Sequence, residues 1–283
     1  MLSAPFDYAV PESLEEALDL FAGQPDARLL AGGQSLIPTL KLRLDRPSLL
    51  IDLRKLEELR YVRSEEGKTA IGALTTYRDL AGSDALTGGA RCLAQAAAAV
   101  GDLQVRNLGT IGGSLAHADP SADLPAAALA LECTIVARSK RGERTIEASD
   151  FFRGLWTTAL EPGEILSEVR FALPSGSGGA YEKLRHSASG FALVGAAAVL
   201  EMDGETCRSA RVALTGVSGA PLRLSAVEER LAGGAITEDL VREACAGAGD
   251  AIDSPQSDSS ASAEYRRAMA GVFAHRAILR AAA

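Results

Sequence analysis

The chain has 283 residues, of which 47% are apolar and 23% are charged, and its formal net charge is −8 at pH 7. This length accommodates one large domain or two ordinary ones, and the composition is that of a globular protein. The acidic balance argues against a nucleic-acid-binding protein, because affinity for phosphate backbones comes mainly from lysine and arginine.

The sequence also argues against a membrane span, a signal peptide and a metal site. The longest apolar run, at 191–200, is about half as long as a membrane-spanning helix. The first residues lack a basic flank followed by an apolar core, so no signal peptide is predicted. The cysteines lie far apart without a C-x-x-C pair, at Cys92, Cys133, Cys207 and Cys245. This spacing favours reduced, buried thiols in a cytoplasmic protein and argues against an iron–sulfur or zinc site in this chain.

Residues 1–54 predict a helix followed by a small β-α-β unit. Ser13 and Glu16 match the S-x-x-E capping box, which predicts a helix that starts after Ser13 and ends at Gly23. Three segments follow: a strand candidate at 27–31, an amphipathic stretch at 36–44 and a second strand candidate at 48–53. Strand, crossover and strand at this spacing indicate parallel pairing.

Residues 55–175 predict a larger region of mixed α and β structure. The predicted elements are a strand leading into a helix at 68–81, helices at 93–100 and 122–132, a β-hairpin at 133–148 that turns near 140–142, and a strand at 167–173. The next segment, PSGSGGA at 174–180, has the composition of a flexible linker. We therefore predict a domain boundary near residue 176.

Residues 176–283 predict a smaller α+β domain. Three strand candidates at hairpin spacing, at 181–186, 191–202 and 209–217, predict a three-stranded antiparallel sheet. Helices are predicted at 226–231, 237–248 and 262–281, with a polar loop at 253–262. The predicted domains are thus 1–175, divided at about residue 54, and 176–283.

Two glycine pairs predict a ligand site. They lie in AGGQS at Ala31–Ser35 and in TIGGS at Thr110–Ser114, and glycine pairs often mark simple turns. Glycine also leaves backbone N–H groups exposed and lets a ligand approach closely. Donors converging from two such loops would hold a pyrophosphate without a lysine. No G-x-G-x-x-G follows a strand and no P-loop motif is present, so a Rossmann or P-loop nucleotide site is not predicted.

A hydrolase is one alternative interpretation of the second glycine pair. The stretch GGSLA resembles the G-x-S-x-G nucleophile elbow, with Ser114 as nucleophile and His117 or His186 as base. An elbow follows a buried strand and opens into a helix, whereas the preceding RNLGTI is too polar for that strand and Pro120 interrupts a helix that starts at Ser114. The histidines, which include His275, are isolated and lack metal-ligand spacing.

Several motifs occur in order along the whole chain: AGGQS at 31–35, RNLGTIGGSLAHADPSADLPAAALAL at 106–131, DFF at 150–152, EPGEIL at 161–166 and SAEYRRAMAGVFAHRAIL at 262–279. Together they resemble the FAD-binding medium subunit of molybdenum hydroxylases, the family of carbon monoxide dehydrogenase and xanthine dehydrogenase. The resemblance implies an α+β fold. Its two-part FAD-binding domain is of the vanillyl-alcohol-oxidase/PCMH type, and a smaller α+β domain with a three-stranded antiparallel sheet follows.

The resemblance also implies a set of FAD contacts and no catalytic or metal-binding residue in this chain. The implied contacts are Leu30, Ala31, Gly32, Gly33, Gln34, Ser35, Leu36, Thr110, Gly112, Gly113, Ser114, Asp123, Leu166, Lys183 and Phe191. Asp123 also fits the N-cap of the helix that follows it. Lys183 would stabilise negative charge on reduced flavin or, alternatively, be a solvated strand residue. Phe191 would lie beside the isoalloxazine ring or, alternatively, in the core.

The mode of FAD attachment follows from the first glycine loop. Some relatives carry a histidine in this loop, and a histidine tethers the flavin in some proteins of the wider fold. Gln34 has an amide that is too weak a nucleophile for this bond, and neither glycine loop contains a cysteine. His117 is the alternative tether, but it follows the second glycine loop, where the ligand should be phosphate rather than ring. We therefore predict non-covalent FAD, with Gln34 as one hydrogen-bond donor.

The function implied by the resemblance is electron transfer within a heteromeric complex. In this family a large subunit oxidises the substrate at molybdenum, and electrons pass through two [2Fe–2S] clusters of a small subunit to FAD and then to an external acceptor. The molybdenum cofactor and the clusters are expected on partner subunits, in a dimer of heterotrimers. Two alternatives are a stand-alone FAD-dependent oxidoreductase and an assembly subunit without cofactor. The sequence shows no evident acid or base beside the expected flavin position, which argues against the stand-alone oxidoreductase. The intact glycine loops argue against an assembly subunit without cofactor.

Overall fold

The computed structural model describes residues 2–283. The strands are β1 Asp7–Ala9, β2 Arg28–Leu30, β3 Leu49–Asp52, β4 Val62–Glu65, β5 Lys68–Gly72, β6 Thr134–Ser139, β7 Gly142–Glu147, β8 Phe152–Gly154, β9 Thr157–Thr158, β10 Ile165–Ala172, β11 Ser177–Arg185, β12 Ala192–Asp203, β13 Thr206–Thr215 and β14 Leu222–Arg223. The α-helices are α1 Leu14–Ala22, α2 Leu36–Lys41, α3 Tyr77–Ala81, α4 Arg91–Ala99, α5 Leu103–Leu108, α6 Ile111–His117, α7 Leu124–Ala130, α8 Ala148–Phe151, α9 Ser225–Leu231, α10 Glu238–Cys245 and α11 Ala263–Ala282.

The N-terminal sheet has the order β1–β3–β2, and both of its strand pairs are parallel. This confirms the predicted parallel β-α-β unit, in which α2 is the crossover between β2 and β3. Strand β1 is not predicted from the sequence, because three residues are too few to show an alternating pattern. The parallel arrangement places the loop between β2 and α2, which contains the first glycine pair, at the carboxyl end of β2.

Helix α1 starts where the capping motif predicts it, but only half of the capping box forms. The Ser13 hydroxyl accepts a hydrogen bond from the backbone N–H of Glu16 over 3.2 Å. The carboxylate of Glu16 accepts from the N–H of Glu12 over 2.8 Å, one residue before the position that the motif predicts. The helix ends at its C-cap residue Gly23, as predicted.

The larger part of the N-terminal half is built on an antiparallel sheet with the order β4–β5–β10–β6–β7. The predicted hairpin at 133–148 is confirmed as β6 and β7. Helices α4, α6 and α7 supply fully buried side chains, among them Leu93, Leu115 and Leu124, to a core that also contains Ile71 and Val169 of the sheet. Because α6 begins in the second glycine stretch, this core fixes the position of that stretch.

The segment predicted to be a flexible linker is mostly ordered strand. Only the residues before Ser177 form a turn, and β11 begins at Ser177. A Cβ atom on Gly178 would lie 1.9 Å from the carbonyl oxygen of Ala281, and one on Gly179 would lie 2.1 Å from that of Gly89. These glycines are therefore required by close backbone packing and do not indicate flexibility. The domain division at 175/176 remains a prediction.

The C-terminal sheet is antiparallel with the order β11–β12–β13–β14. The three predicted strands are confirmed, and the two-residue strand β14 extends the sheet at its edge. The three predicted C-terminal helices correspond to α9, α10 and α11, whose apolar side chains pack on one face of the sheet. The fold class is α+β, and none of the helices in residues 2–283 combines the length and apolarity that a membrane span requires.

Candidate functional site

The first glycine stretch is in direct backbone contact with the two residues that immediately precede the second one. A Cβ atom on Gly32 would lie 2.2 Å from the carbonyl oxygen of Leu108 and 2.7 Å from the Cα atom of Gly109. Any side chain at position 32 would therefore push the first stretch away from Leu108 and Gly109. Beside this contact runs a cleft of about 550 Å³, which both stretches line. Ligand pockets in proteins commonly measure about 300–1,000 Å³.

The first glycine stretch presents a row of uncommitted donors. Within residues 2–283, the backbone N–H groups of Gly32, Gly33, Gln34 and Ser35 have no hydrogen-bond acceptor in the protein. Gly33 adopts a φ of +71°, which glycine tolerates without strain and which turns successive N–H groups toward one side. The Ser35 hydroxyl makes no capping bond to α2 and adds a further donor. Such a concave row of N–H groups binds anions such as phosphate.

The second glycine stretch is part of helix α6, which the sequence analysis did not predict. Its N–H groups already have acceptors, since those of Ile111, Gly112, Gly113 and Ser114 donate to Thr75 O, Ala73 O, Thr110 Oγ1 and Thr110 O. The prediction that this stretch exposes backbone donors is therefore wrong. Gly112 instead allows α6 to pack on Ala73, whose Cβ atom would lie 2.6 Å from a Cβ on Gly112. Gly113 faces the cleft.

A buried ion pair lies behind one wall of the cleft. The Asp123 carboxylate is 5% exposed and accepts hydrogen bonds from the Tyr181 hydroxyl over 2.6 Å and the Lys183 ammonium over 2.8 Å. The ammonium of Lys183 also donates to the carbonyl oxygen of Ala99 over 3.1 Å. Burial raises the pKa of Asp123, and the adjacent Lys183 charge opposes that rise. Lys183 is thus a buried counter-ion, and the solvated alternative is wrong.

Asp123 occupies the N-cap position of α7, as the sequence predicts. Its side chain makes no capping hydrogen bond to α7, because both carboxylate oxygens are engaged by Tyr181 and Lys183. Pro125 nevertheless lies in the first turn of α7, as the sequence predicts.

The described lining residues of the cleft include no unpaired lysine or arginine. Arg28 is paired with Asp45 over 2.7 Å, and among the lining residues that the structure describes it is the only lysine or arginine. Burial raises the pKa of Tyr77 to about 12, so the phenol that lines the cleft is uncharged at neutral pH. A pyrophosphate in this cleft would depend on backbone and hydroxyl donors of the first glycine stretch.

The loop between β11 and β12 also lines the cleft. Gly190 of this loop contacts Gly101, where an added Cβ atom would lie 2.8 Å from the Gly190 Cα atom. Phe191 follows and lines the cleft with 49% of its surface exposed. The alternative that Phe191 belongs to the core is therefore wrong. Leu166, 6% exposed, contributes an apolar wall.

The structure brings most of the predicted contacts to this one cleft. The lining residues among them are Ala31, Gly32, Gly33, Gln34, Ser35, Leu36, Thr110, Gly112, Gly113, Ser114, Asp123, Leu166 and Phe191. Two of the predicted contacts do not line the cleft. Leu30 belongs to a small hydrophobic core, and Lys183 bonds the Asp123 carboxylate without lining the cleft itself. Lining residues that the sequence analysis missed include Tyr77, Gly101 and Asp119, which carried no local sequence signal. That any of these residues touches FAD stays a prediction.

The hydrolase alternative fails on geometry. The residues before Thr110 form helix α5, whereas a nucleophile elbow needs a strand there. Ser114 is 8% exposed, and Nδ1 of His186 interacts with the hydroxyl and N–H of Ser189. Among residues 2–283, no group of three His, Cys, Asp or Glu side chains is placed to hold a metal ion.

The residues of the cleft fit FAD. A dinucleotide needs donors for its two phosphates, and four consecutive backbone N–H groups of the first glycine stretch have no other acceptor in the described part of the chain. It also needs a predominantly apolar cleft for its ring system, which Leu36, Leu166 and Phe191 supply. Both requirements are met in one cleft.

We expect FAD to be bound without a covalent bond. The Gln34 amide donates to the carbonyl oxygen of Gly32 over 3.0 Å, so this side chain stiffens its own loop and offers no nucleophile. Acid or heat denaturation should release free FAD and leave a colourless polypeptide of unmodified mass. Mass spectrometry of the denatured chain checks this, and a mass raised by one FAD would contradict it.

Comparisons with known proteins place the chain in a sequence family. The family described as "FAD binding domain in molybdopterin dehydrogenase" matches residues 4–174. The family described as "CO dehydrogenase flavoprotein C-terminal domain" matches residues 179–281. The two matches together span nearly the whole chain.

Individual relatives agree with the family match. The chain is 42% identical over 281 residues to the carbon monoxide dehydrogenase medium chain of Hydrogenophaga pseudoflava, covering 98% of this chain and 97% of that protein. It is 36% identical to the glyceraldehyde dehydrogenase medium chain of Sulfolobus acidocaldarius, with 98% of each chain covered. A solved carbon monoxide dehydrogenase structure from Hydrogenophaga pseudoflava matches with a TM-score of 0.93 and 41% identity, covering 99% of this chain and 98% of that chain. The solved structure of quinoline 2-oxidoreductase from Pseudomonas putida 86 matches with a TM-score of 0.91 and 36% identity, covering 100% of this chain and 98% of that chain.

Proposed function

This chain belongs to the family that carries the FAD-binding domain of molybdopterin dehydrogenases, and we propose that it works as the FAD-binding electron-transfer subunit of a heteromeric molybdenum hydroxylase. The observation that carries the proposal is the row of uncommitted N–H groups at Gly32–Ser35, in a cleft that the second glycine stretch also lines. Relatives over nearly the full length are medium chains of carbon monoxide and glyceraldehyde dehydrogenases.

The residues of this chain bind and orient the cofactor. The donors of the first glycine stretch hold the pyrophosphate, and Gly113 leaves room for it on the opposite side. Phe191 and Leu166 flank the apolar part of the cleft and exclude water from it. Lys183 neutralises the buried Asp123 carboxylate, so this residue adds no net charge to the wall beside the cofactor. FAD supplies a carrier that takes up electrons singly and releases them in pairs.

The partners follow from this role. The electrons come from [2Fe–2S] clusters on a small subunit, which receives them from a molybdenum cofactor on a large subunit, and an external acceptor takes them from FAD. We place the complex in the cytoplasm as a dimer of heterotrimers. Purification of the chain from its native source tests this: two further subunits, molybdenum and iron should accompany it. A chain that purifies alone and without these metals would favour the stand-alone oxidoreductase.

We expect the isolated chain to show no turnover of purines, aldehydes or carbon monoxide. The aspartates that line the cleft are all engaged, since Asp102 and Asp119 accept from neighbouring backbone N–H groups, Asp45 pairs with Arg28 and Asp123 pairs with Lys183. The measurement is substrate-dependent reduction of an artificial acceptor, first by the FAD-loaded chain alone and then after addition of the partner subunits. Turnover by the chain alone would contradict the proposal.

A further inference from the structure

We infer that Thr215 and Arg266, which do not line the cleft, are positioning residues that hold one wall of the FAD site in place. The wall is the segment Asp119–Asp123, of which Asp119, Ala122 and Asp123 face the cleft. The inference rests on the proposed function, since it assigns to the C-terminal sheet and helix a part in FAD binding.

Thr215 at the end of β13 bonds the wall directly. Its side chain is fully buried, and its hydroxyl lies 2.9 Å from the carbonyl oxygen of Pro120 and 2.8 Å from that of Ala122. One hydroxyl therefore spans two carbonyl groups of the wall, on either side of Ser121. The two carbonyl groups lie 95 and 93 positions before Thr215 in the sequence, so these contacts link the C-terminal sheet to the cleft.

Backbone groups of the same sheet complete the anchor. The N–H of Gly216 donates to Pro120 O over 2.8 Å, and the N–H of Ala192 donates to Ser121 O over 3.2 Å. Three successive carbonyl oxygens of the wall thus accept hydrogen bonds from the ends of β12 and β13. Because Ala192 directly follows Phe191, the same strand end also fixes the aromatic residue at the other side of the cleft.

Arg266 of α11 joins the start of β12 to the end of β13 by hydrogen bonds. Its side chain is almost fully buried, and Nη1 donates to Leu193 O over 2.7 Å and to Gly216 O over 2.6 Å. Nη2 donates to the Asp258 carboxylate over 2.7 Å, which balances the buried charge. The planar guanidinium reaches all three acceptors at once, a geometry that a lysine ammonium cannot reproduce.

A continuous series of hydrogen bonds therefore runs from α11 through the ends of β12 and β13 to the wall. Buried carbonyl groups that lose their donors are costly, so the wall shifts to find other partners when the anchor is removed. Such a shift changes the shape and polarity of the cleft without altering any residue that lines it. A residue with a structural role alone would lower the stability of the FAD-free chain and leave the affinity of the folded chain for FAD unchanged.

The pair Thr215→Val and Thr215→Ser separates the two roles. Valine keeps the shape and removes the hydroxyl, whereas serine keeps the hydroxyl and removes the methyl group. Both variants lose packing or bonding in the core and should be somewhat less stable. We expect only Thr215→Val to raise the FAD dissociation constant, by about tenfold, and to change the visible circular dichroism of bound flavin.

Arg266→Met and Arg211→Met form a second matched pair. Arg211 lies on β13 and pairs with Glu132 over 3.0 Å and Glu201 over 2.5 Å, so it also links the C-terminal sheet to the rest of the chain, but away from the cleft. We expect Arg266→Met to weaken FAD binding by at least about tenfold and Arg211→Met to lower only the melting temperature.

Amide hydrogen exchange of the FAD-free chain gives a readout that does not depend on the cofactor. The N–H groups of Ser121 and Ala122, which are bonded within the wall, should exchange about tenfold faster in Thr215→Val and Arg266→Met than in the two controls. Equal exchange, equal FAD affinity and equal circular dichroism across each pair would overturn the inference. A wild-type chain that does not bind FAD would contradict the proposed function, and the exchange data would still decide whether the wall is anchored in this way.

Discussion

Replacement of Gly113 by valine is expected to abolish FAD binding and to leave the chain folded. Gly113 lies in α6 with helical backbone, and its N–H is bonded to Thr110 Oγ1 in a way that any residue can make. An added Cβ atom meets only that hydroxyl at 2.9 Å and the Cβ of Ala31 at 3.8 Å, so the valine side chain extends into the cleft. Displacing the Thr110 cap costs about 1 kcal/mol. The FAD dissociation constant should rise by at least about 100-fold, which corresponds to about 2.7 kcal/mol.

Two other glycines serve as comparisons for this variant. Gly23 also has a helical backbone, and its nearest neighbour is 3.6 Å from the added Cβ, so Gly23→Val should bind FAD as the wild type does. Gly32→Val pushes the first glycine stretch away from the backbone of Leu108, because its Cβ meets Leu108 O at 2.2 Å, and should lower the melting temperature as well. Unchanged flavin content in Gly113→Val, measured from the absorbance of the purified chain, would show that the cofactor lies elsewhere.

Replacement of Lys183 by methionine is expected to destabilise the FAD-free chain by about 3–5 kcal/mol, because it leaves the buried Asp123 carboxylate without a counter-ion. Denaturant unfolding at neutral pH measures this. The exposed pair of Lys140 and Asp19 provides the control, since Lys140→Met should change the unfolding free energy little.

The pH dependence of this loss has a definite sign. Burial raises the pKa of Asp123 in the folded chain, and removal of Lys183 raises it further. A carboxyl group with a raised folded-state pKa is favourable to folding below its ordinary pKa and loses that advantage as the pH rises. The stability deficit of Lys183→Met should therefore be small in acid and grow toward neutral pH. A second change, Asp123→Asn, should restore most of the neutral-pH stability, and a deficit independent of pH and of this change would contradict the buried ion pair.

Local sequence patterns predicted the elements that depend on neighbouring residues. The cap of α1 at Ser13, the hairpin of β6 and β7, and the long strands of the C-terminal sheet follow from short-range signals. Helix α6 was missed because a glycine pair normally indicates a turn. Here the Thr110 cap and close packing of Gly112 on Ala73 outweigh the low helix propensity of glycine.

The site was predictable where it lies on one segment and unpredictable where distant segments meet. The first glycine stretch carries its donors in five consecutive residues, so its role could be inferred from the sequence. The partner of Asp123 is 60 residues away, and no local pattern distinguishes a buried counter-ion from a solvated strand lysine at position 183. The anchor of the cleft wall by Thr215 spans 95 residues and required the tertiary structure.

A comparison of FAD with riboflavin tests whether the N–H groups of Gly32–Ser35 hold the pyrophosphate of FAD. Riboflavin has the same ring system and ribityl chain and lacks the pyrophosphate together with the adenosine attached to it. Titration of the FAD-free wild-type chain should give about one FAD per chain and an affinity for FAD at least about 100-fold higher than for riboflavin, a difference of about 2.7 kcal/mol. Equal affinities, or a chain that binds neither compound, would contradict the account.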